Sequence, residues 1–147
     1  MTDDTERSDL AAMAVRLSRG LMAVEQPILA AHEVSMWGYA VLSTLREEPV
    51  RAQSALARAI GADKTRLIPV LDELQRRGLI EREPDPADRR VHLLRLTRAG
   101  RDLQASAQAG IRAEEVRLLA RLPAADRAAF VRSLQFLSEA VARPDAG

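Results

Sequence analysis

AQSALARAIGADKTRLIPVLDELQRRGLIEREPDPADRRVHLLRL, running from Ala52 to Leu96, is the stretch on which the rest of the 147-residue chain turns. It reads as a short helix, a tight turn, a longer helix and a two-stranded hairpin with arginines near its tip. Gly61-Ala62-Asp63 makes the turn: glycine ends the first helix by taking a left-handed conformation at little cost, and aspartate caps the second. Two helices joined by a short glycine-containing turn are the signature of a helix-turn-helix, whose second helix lies in the major groove of DNA. The hairpin that follows is then a wing.

Charge gathers on the same segment. From Arg51 to Arg101 there are 12 Lys+Arg against 7 Asp+Glu, a balance of +5, and the remaining residues hold 10 against 14, or −4, which together give the net +1. A near-neutral chain with its positive charge collected in one place has the footprint of a phosphate-binding surface on an acidic frame. A compositional bias toward arginine explains the choice of Arg over Lys, since Lys64 is the one lysine among 22 basic residues. It does not explain the lopsided placement.

Outward from this segment the chain reads as helices. Met1 to Glu6 is short, polar and terminal and is expected to be disordered. From Ser8 the apolar residues Leu10, Met13, Leu17, Leu21, Val24 and Ile28 recur every three or four positions, which predicts a long helix with one buried face. Pro27 is expected to kink it or split off its last turn, and His32-Glu33 to form a connector. Ser35 caps a second helix over Met36–Glu47, closed by Pro49.

The third helix is read as Arg51–Ile60, and the fourth as Lys64–Arg77 with Leu67, Val70, Leu71 and Leu74 as its buried stripe and a slight bend at Pro69. Strands at Leu79–Glu83 and around Val91, Leu93 and Leu96 flank a turn at Pro84–Asp88. Thr97 caps a helix from Arg98 to about Leu122, weakened in its middle by Gly110. Pro123 suits the first turn of a last helix, whose apolar stripe is Phe130, Val131, Leu134, Leu137 and Val141.

Composition narrows the class. Aromatic residues are 3% of a chain that is 47% hydrophobic, so the core is aliphatic and favours helices. Cysteine is absent, which excludes disulfides, cysteine-ligated zinc and thiol redox chemistry. Neither a membrane-length apolar run nor a signal-peptide-like start is present, so a cytoplasmic location is expected.

With the elements in order, a resemblance becomes specific. DKTRLIPVLDELQRRGLIEREPDPADRRVHLLRLTRAG resembles the MarR family of bacterial transcription regulators in Arg77-Gly78-Leu79 before the wing, Asp88-Arg89-Arg90 in it, and Leu96-Thr97-Arg98-Ala99-Gly100 after it. The resemblance covers nearly the whole chain; Pro27 and Trp37-Gly38-Tyr39 depart from it. It implies a mainly α fold with a small β-hairpin wing: a tail at 1–7, an N-terminal dimerisation helix at 8–33, a winged helix-turn-helix domain at 34–97 and C-terminal dimerisation helices at 98–147.

It also implies a ligand-responsive homodimeric repressor, with paired winged units on a pseudo-palindromic operator. Apolar stripes that a small winged core cannot cover point the same way, and the interface is expected to hold Leu10, Leu17, Leu21, Leu119, Phe130, Leu134, Leu137 and Val141.

Expected DNA contacts follow from position. Lys64, Thr65 and Arg66 open the fourth helix, where side chains reach base edges and backbone N–H groups favour phosphate. Arg66 either grips a guanine in bidentate fashion or holds a phosphate. Gln53 and Ser54 open the preceding helix and are expected to touch phosphates. By resemblance, Arg90 enters the minor groove, where arginine reads shape, with Arg89 beside it; Asp88 pairs with a nearby arginine, unless it is an ordinary turn residue. Arg76, Arg77 and Arg95 are expected to be solvated or ion-paired.

The resemblance further implies a small aromatic or phenolic effector. An aromatic-lined cleft with one cation, made by Arg16, His32, Met36, Trp37 and Tyr39, would suit an aromatic carboxylate. The preferred reading makes Trp37 and Tyr39 ordinary core at the hinge. No catalytic residue, metal site or cofactor is expected: Ser, His and Asp occur, but no nucleophile elbow, phosphate loop or metal motif. The competing reading, a winged-helix protein–protein module without a DNA role, predicts an uncharged or acidic start to the fourth helix, against Lys64 and Arg66.

Overall fold

A computed structural model of the chain describes residues 6–48 and 51–143. Its elements are α1 (Leu10–Ala31), α2 (Met36–Glu47), β1 (Arg51–Ala52), α3 (Gln53–Ile60), α4 (Lys64–Arg76), β2 (Ile80–Pro84), β3 (His92–Leu96), α5 (Arg98–Leu119) and α6 (Ala124–Ala142). Most of the expected tail, and Pro49 as the stop for α2, lie outside the described residues. The chain forms two compact units, one ending at Ile111 and the other beginning at Arg112.

The first unit is built on leucine. Val41, Leu42 and Leu45 from α2, Leu56 from α3, Leu67, Leu71 and Leu74 from α4, and Ile80, Leu94 and Leu96 from the strands bury against one another. Each fully buried side chain of this kind contributes about 1.5–3 kcal/mol. Helix ends are set by named groups: Ser35 Oγ accepts from Gly38 N at 3.0 Å, and Asp63 Oδ1 accepts from Arg66 N at 2.8 Å. Gly61, at φ 70°, ends α3 in the left-handed region, which glycine enters without a Cβ penalty.

The start of α5 is locked onto the end of α4. Thr97 Oγ1 donates to Gly78 O at 2.6 Å and accepts from Gly100 N at 3.0 Å, and Thr97 N donates to Leu79 O at 3.1 Å. Gly100 is required there, because a Cβ would stand 2.0 Å from Leu79 O.

The structure departs from the sequence expectations at several helix and strand ends. Arg51 and Ala52 are not the first turn of α3 but a short strand paired with Leu94 and Leu93 of β3, giving a three-stranded sheet in the order β1-β3-β2. The β3 ladder takes up that backbone, so α3 begins at Gln53 with no side-chain cap. In the wing, Ile80 pairs with Leu96 and Arg82 with Leu94. That register buries Leu94, and Leu93 is only half-buried.

Pro27 neither ends α1 nor splits off a turn, and the helix continues to Ala31. Its end is closed by Val34 N donating to Leu29 O and Glu33 N to Ala30 O, both at 3.0 Å. Buried Leu29 and Val34 bracket this closure, and a hydrophobic contact of that kind stabilises a helix end. Pro69 lies inside an unbroken α4, as expected of a proline that does not break the helix.

The apolar stripe of α1, read from the sequence as more than the winged core can cover, is left largely open within the chain. Leu10 and Val24 are exposed, and Met13, Leu17, Leu21 and Ile28 are half-buried. Finally, α5 ends at Leu119 rather than about Leu122, and Pro123 precedes α6 as its cap rather than entering its first turn.

In the second unit, α6 has no buried residue. Phe130, Leu134, Leu137 and Val141 are all exposed, as is Phe136 beside them at 71%. No helix of the described residues is long and apolar enough to cross a membrane.

Candidate nucleic-acid interface

The start of α4 owes its position to the leucines behind it. Leu67, Leu71 and Leu74 point into the core, and at 100° per residue Thr65, Pro69 and Asp72 must then face out. Lys64 and Arg66 flank this outer face on either side, and Lys64, Thr65 and Arg66 are all exposed. With Asp63 occupying one backbone donor, the remaining free N–H groups of the first turn still point outward, where they favour phosphate.

Gln53, Ser54, Lys64, Arg90, Val91 and His92 line one surface groove of about 310 Å³. The openings of α3 and α4 and the loop end of the wing thus converge on a single concavity, although they lie up to 39 positions apart in the sequence (53 to 92). Four of the residues expected to touch DNA are in it. His92 joins them from β3, opposite Pro84, a placement visible only in the strand register.

The wing tip is shaped by its own aspartates. Ala87 N donates to Asp85 Oδ1 at 2.9 Å, and Val91 N donates to Asp88 O at 2.9 Å. Arg90 N donates to Asp88 Oδ1 at 3.1 Å, with Arg90 Nε at 3.4 Å from the same oxygen. The arginine that Asp88 pairs with is therefore Arg90 itself. The Arg90 side chain is 94% exposed, so this pair is weak and its guanidinium is free to leave. Arg89 is exposed beside it.

The other arginines divide. Arg76 is bound by Glu73, and its hydrogen bond holds the Glu73 carboxyl below its ordinary value. Arg95 lies 3.6 Å from Glu83. Arg77 does more than the solvated or ion-paired role expected of it: it donates to the carbonyls of Glu33 and His32, capping the connector between α1 and α2. Arg82, which sequence reasoning passed over, donates to Gln75 Oε1 at 2.7 Å and pairs with Asp72, bracing the wing against α4.

The cluster expected to hold an effector is not assembled in one chain. His32 Nδ1 meets Ile28 O at 2.7 Å and Nε2 meets Ser106 Oγ at 2.9 Å. Met36 and Tyr39 pack on the core. The Trp37 ring lies under the guanidinium of Arg66, 5.8 Å from its centroid, so it joins the α4 face instead. Arg16 sits in the same helix as Ile28 but sixteen residues before His32, about 24 Å along the axis. It cannot face the others from its own chain. Among the described residues no three His, Asp or Glu side chains gather in a way that could hold a metal ion.

Comparison with known proteins adds the following. Residues 34–92 match the sequence model of the MarR family. Over 99 residues the chain is 31% identical to a protein of Thauera aromatica named for transcriptional regulation of the hcr operon, a match covering 67% of this chain and 60% of that protein. The chain spans about half to three fifths of the length of the curated relatives it matches.

Among solved structures, the PcaV transcriptional regulator of Streptomyces coelicolor in complex with its natural ligand is 30% identical. The likeness covers 92% of this chain and 98% of that one at a TM-score of 0.68. The transcriptional repressor CouR bound to a 23-mer DNA duplex is 28% identical, with 88% and 92% covered at a TM-score of 0.78.

Proposed function

Because the chain belongs to the MarR family, we propose that it is a sequence-specific DNA-binding transcription regulator, a homodimeric repressor that sets two winged units on a pseudo-palindromic operator. The observation that carries this reading is the convergence of Gln53, Ser54, Lys64 and Arg90 on one groove beside an exposed, cationic helix start. A surface of that form offers side-chain and backbone donors to phosphate on both sides of a helix that enters the major groove. CouR, solved on a DNA duplex, supports the reading.

The exposed apolar residues of α1 and α6 support a second copy as partner. A single chain leaves Leu10, Phe130, Leu134, Leu137 and Val141 in water, and a two-fold partner buries such a surface against itself. On this reading residues 8–33 and 98–147 are the dimerisation segments and 34–97 the DNA-binding domain. A location in the cytoplasm goes with binding DNA there.

A small aromatic or phenolic anion completes the proposal as effector. PcaV, solved with its natural ligand, supports a ligand-responsive regulator. Arg16 belongs to such a site only as a contribution from the second copy.

The test begins with selection of bound duplexes from random oligonucleotides, followed by a gel shift of the recovered site across a salt series. Affinity is expected to fall steeply with salt, Arg90→Ala to weaken every site and flatten the salt slope, and aromatic acids to release the winning site. A salt-insensitive or absent complex overturns the reading.

A further inference from the structure

One apolar side chain on the α4 surface is left over. Ile68 is 46% exposed, and among the described residues of 34–97 it is the only large hydrophobic side chain left in water; the others lie on α1, α5 and α6. A lone exposed isoleucine is ordinary on a protein surface. Its position here is not. Ile68 stands one turn beyond Lys64, on the flank of α4 that faces the wing, and lines a groove of about 480 Å³ with Gln53, Gln75, Arg82, Pro84 and His92.

The surroundings of Ile68 suit a base edge better than a phosphate. Arg82, the guanidinium in this groove, is already held by Asp72 and Gln75, so the pair leaves no free guanidinium there to draw phosphate. What remains beside Ile68 is the apolar surface of Pro84, the Gln53 amide and the His92 ring at the far strand. In the major groove the apolar group presented by a base pair is the C5-methyl of thymine.

We infer that Ile68 is a specificity-determining residue, which packs on a thymine methyl at one base-pair position in each half-site. The inference rests on the DNA-binding reading above. It assigns Ile68 a contact that neither charge nor hydrogen bonding supplies, and it makes the operator thymine-requiring at that position.

The test uses the full-length protein and the operator recovered by selection. Each thymine is replaced in turn by deoxyuridine, which lacks only the methyl group and keeps the base pair. At one position per half-site the wild type is expected to lose about fourfold in affinity, the effect of one buried methyl-sized group, with other positions unchanged. Ile68→Ala is expected to bind the thymine operator more weakly and to be indifferent to deoxyuridine at that position, whereas Ile68→Val keeps the sensitivity.

Wild-type tolerance of deoxyuridine at every position overturns the inference, and so does an Ile68→Ala protein with an undiminished deoxyuridine penalty. The wild-type arm needs no variant to fold. Failure of the parent reading looks different: the wild type then shows no salt-dependent, sequence-selective complex at all, and the inference falls with it.

Discussion

Leu45 and Leu137 are both leucines on long, regular helices, and they meet opposite surroundings. Leu45 is fully buried, enclosed by α2, α3, α4 and the sheet; Leu137 is 56% exposed on a helix that buries nothing. The winged segment is finished within one chain, with its strand register and core closed. The last helix carries an apolar stripe without a cover. Completeness in one region and its lack in another separate what the chain buries by itself from what it leaves open, the surface assigned above to the proposed second copy.

The largest effect should come from breaking the closed region. Gly100→Ala puts a Cβ into Leu79 O, and neither backbone can retreat without losing the Thr97 bonds that tie α5 to the end of α4. A loss of about 3 kcal/mol is expected in denaturant unfolding; an unchanged midpoint would mean the segment is looser than its packing implies. Next is Leu134→Asp on the open stripe. Sedimentation should show the proposed dimer dissociating, and an intact dimer would move the interface elsewhere.

Arg66→Ala probes the task proposed for the closed region. Selectivity at one base pair per half-site should relax by about 1–3 kcal/mol, and unchanged selectivity would assign Arg66 to the backbone. The smallest effect belongs to Glu73→Gln. The Arg76 hydrogen bond lowers the folded carboxyl below its unfolded value, so its contribution is present above the ordinary carboxylate range and disappears as pH falls through the folded value. Only the acid side of the stability profile should flatten, and only slightly, because both groups face water.

What the sequence disclosed was local. Ser35, Gly61, Asp63 and Thr97 could be read as helix boundaries because each acts on its own neighbours within a few positions. The positions of Lys64 and Arg66 followed from the Asp63 cap. Less was visible wherever the cause was distant.

The β1 strand is two residues long, too short to show a period. Its existence depends on β3, forty residues on. The sequence HLLRL offers two adjacent leucines for one buried place, and only the pairing of Ile80 with Leu96 chooses Leu94. Arg77 reads from the sequence as a solvated or ion-paired charge and Arg82 carries no local signal at all; the fold brings the His32 and Glu33 carbonyls to the first and Asp72 to the second. Trp37 was grouped with His32 by closeness in sequence, although a helix turns adjacent residues 100° apart. That rotation carries the indole to Arg66.

The contact between Trp37 and Arg66 makes the protein its own optical probe. Trp37 is the only tryptophan, so all indole emission originates beneath a guanidinium at the mouth of the reading helix. On the proposed DNA-binding reading that cation leaves the ring for a duplex, which changes the field on the chromophore and moves the emission maximum. A titration with unlabelled operator can therefore be followed by ultraviolet fluorescence alone, and in Arg66→Ala the same titration should be spectrally quiet.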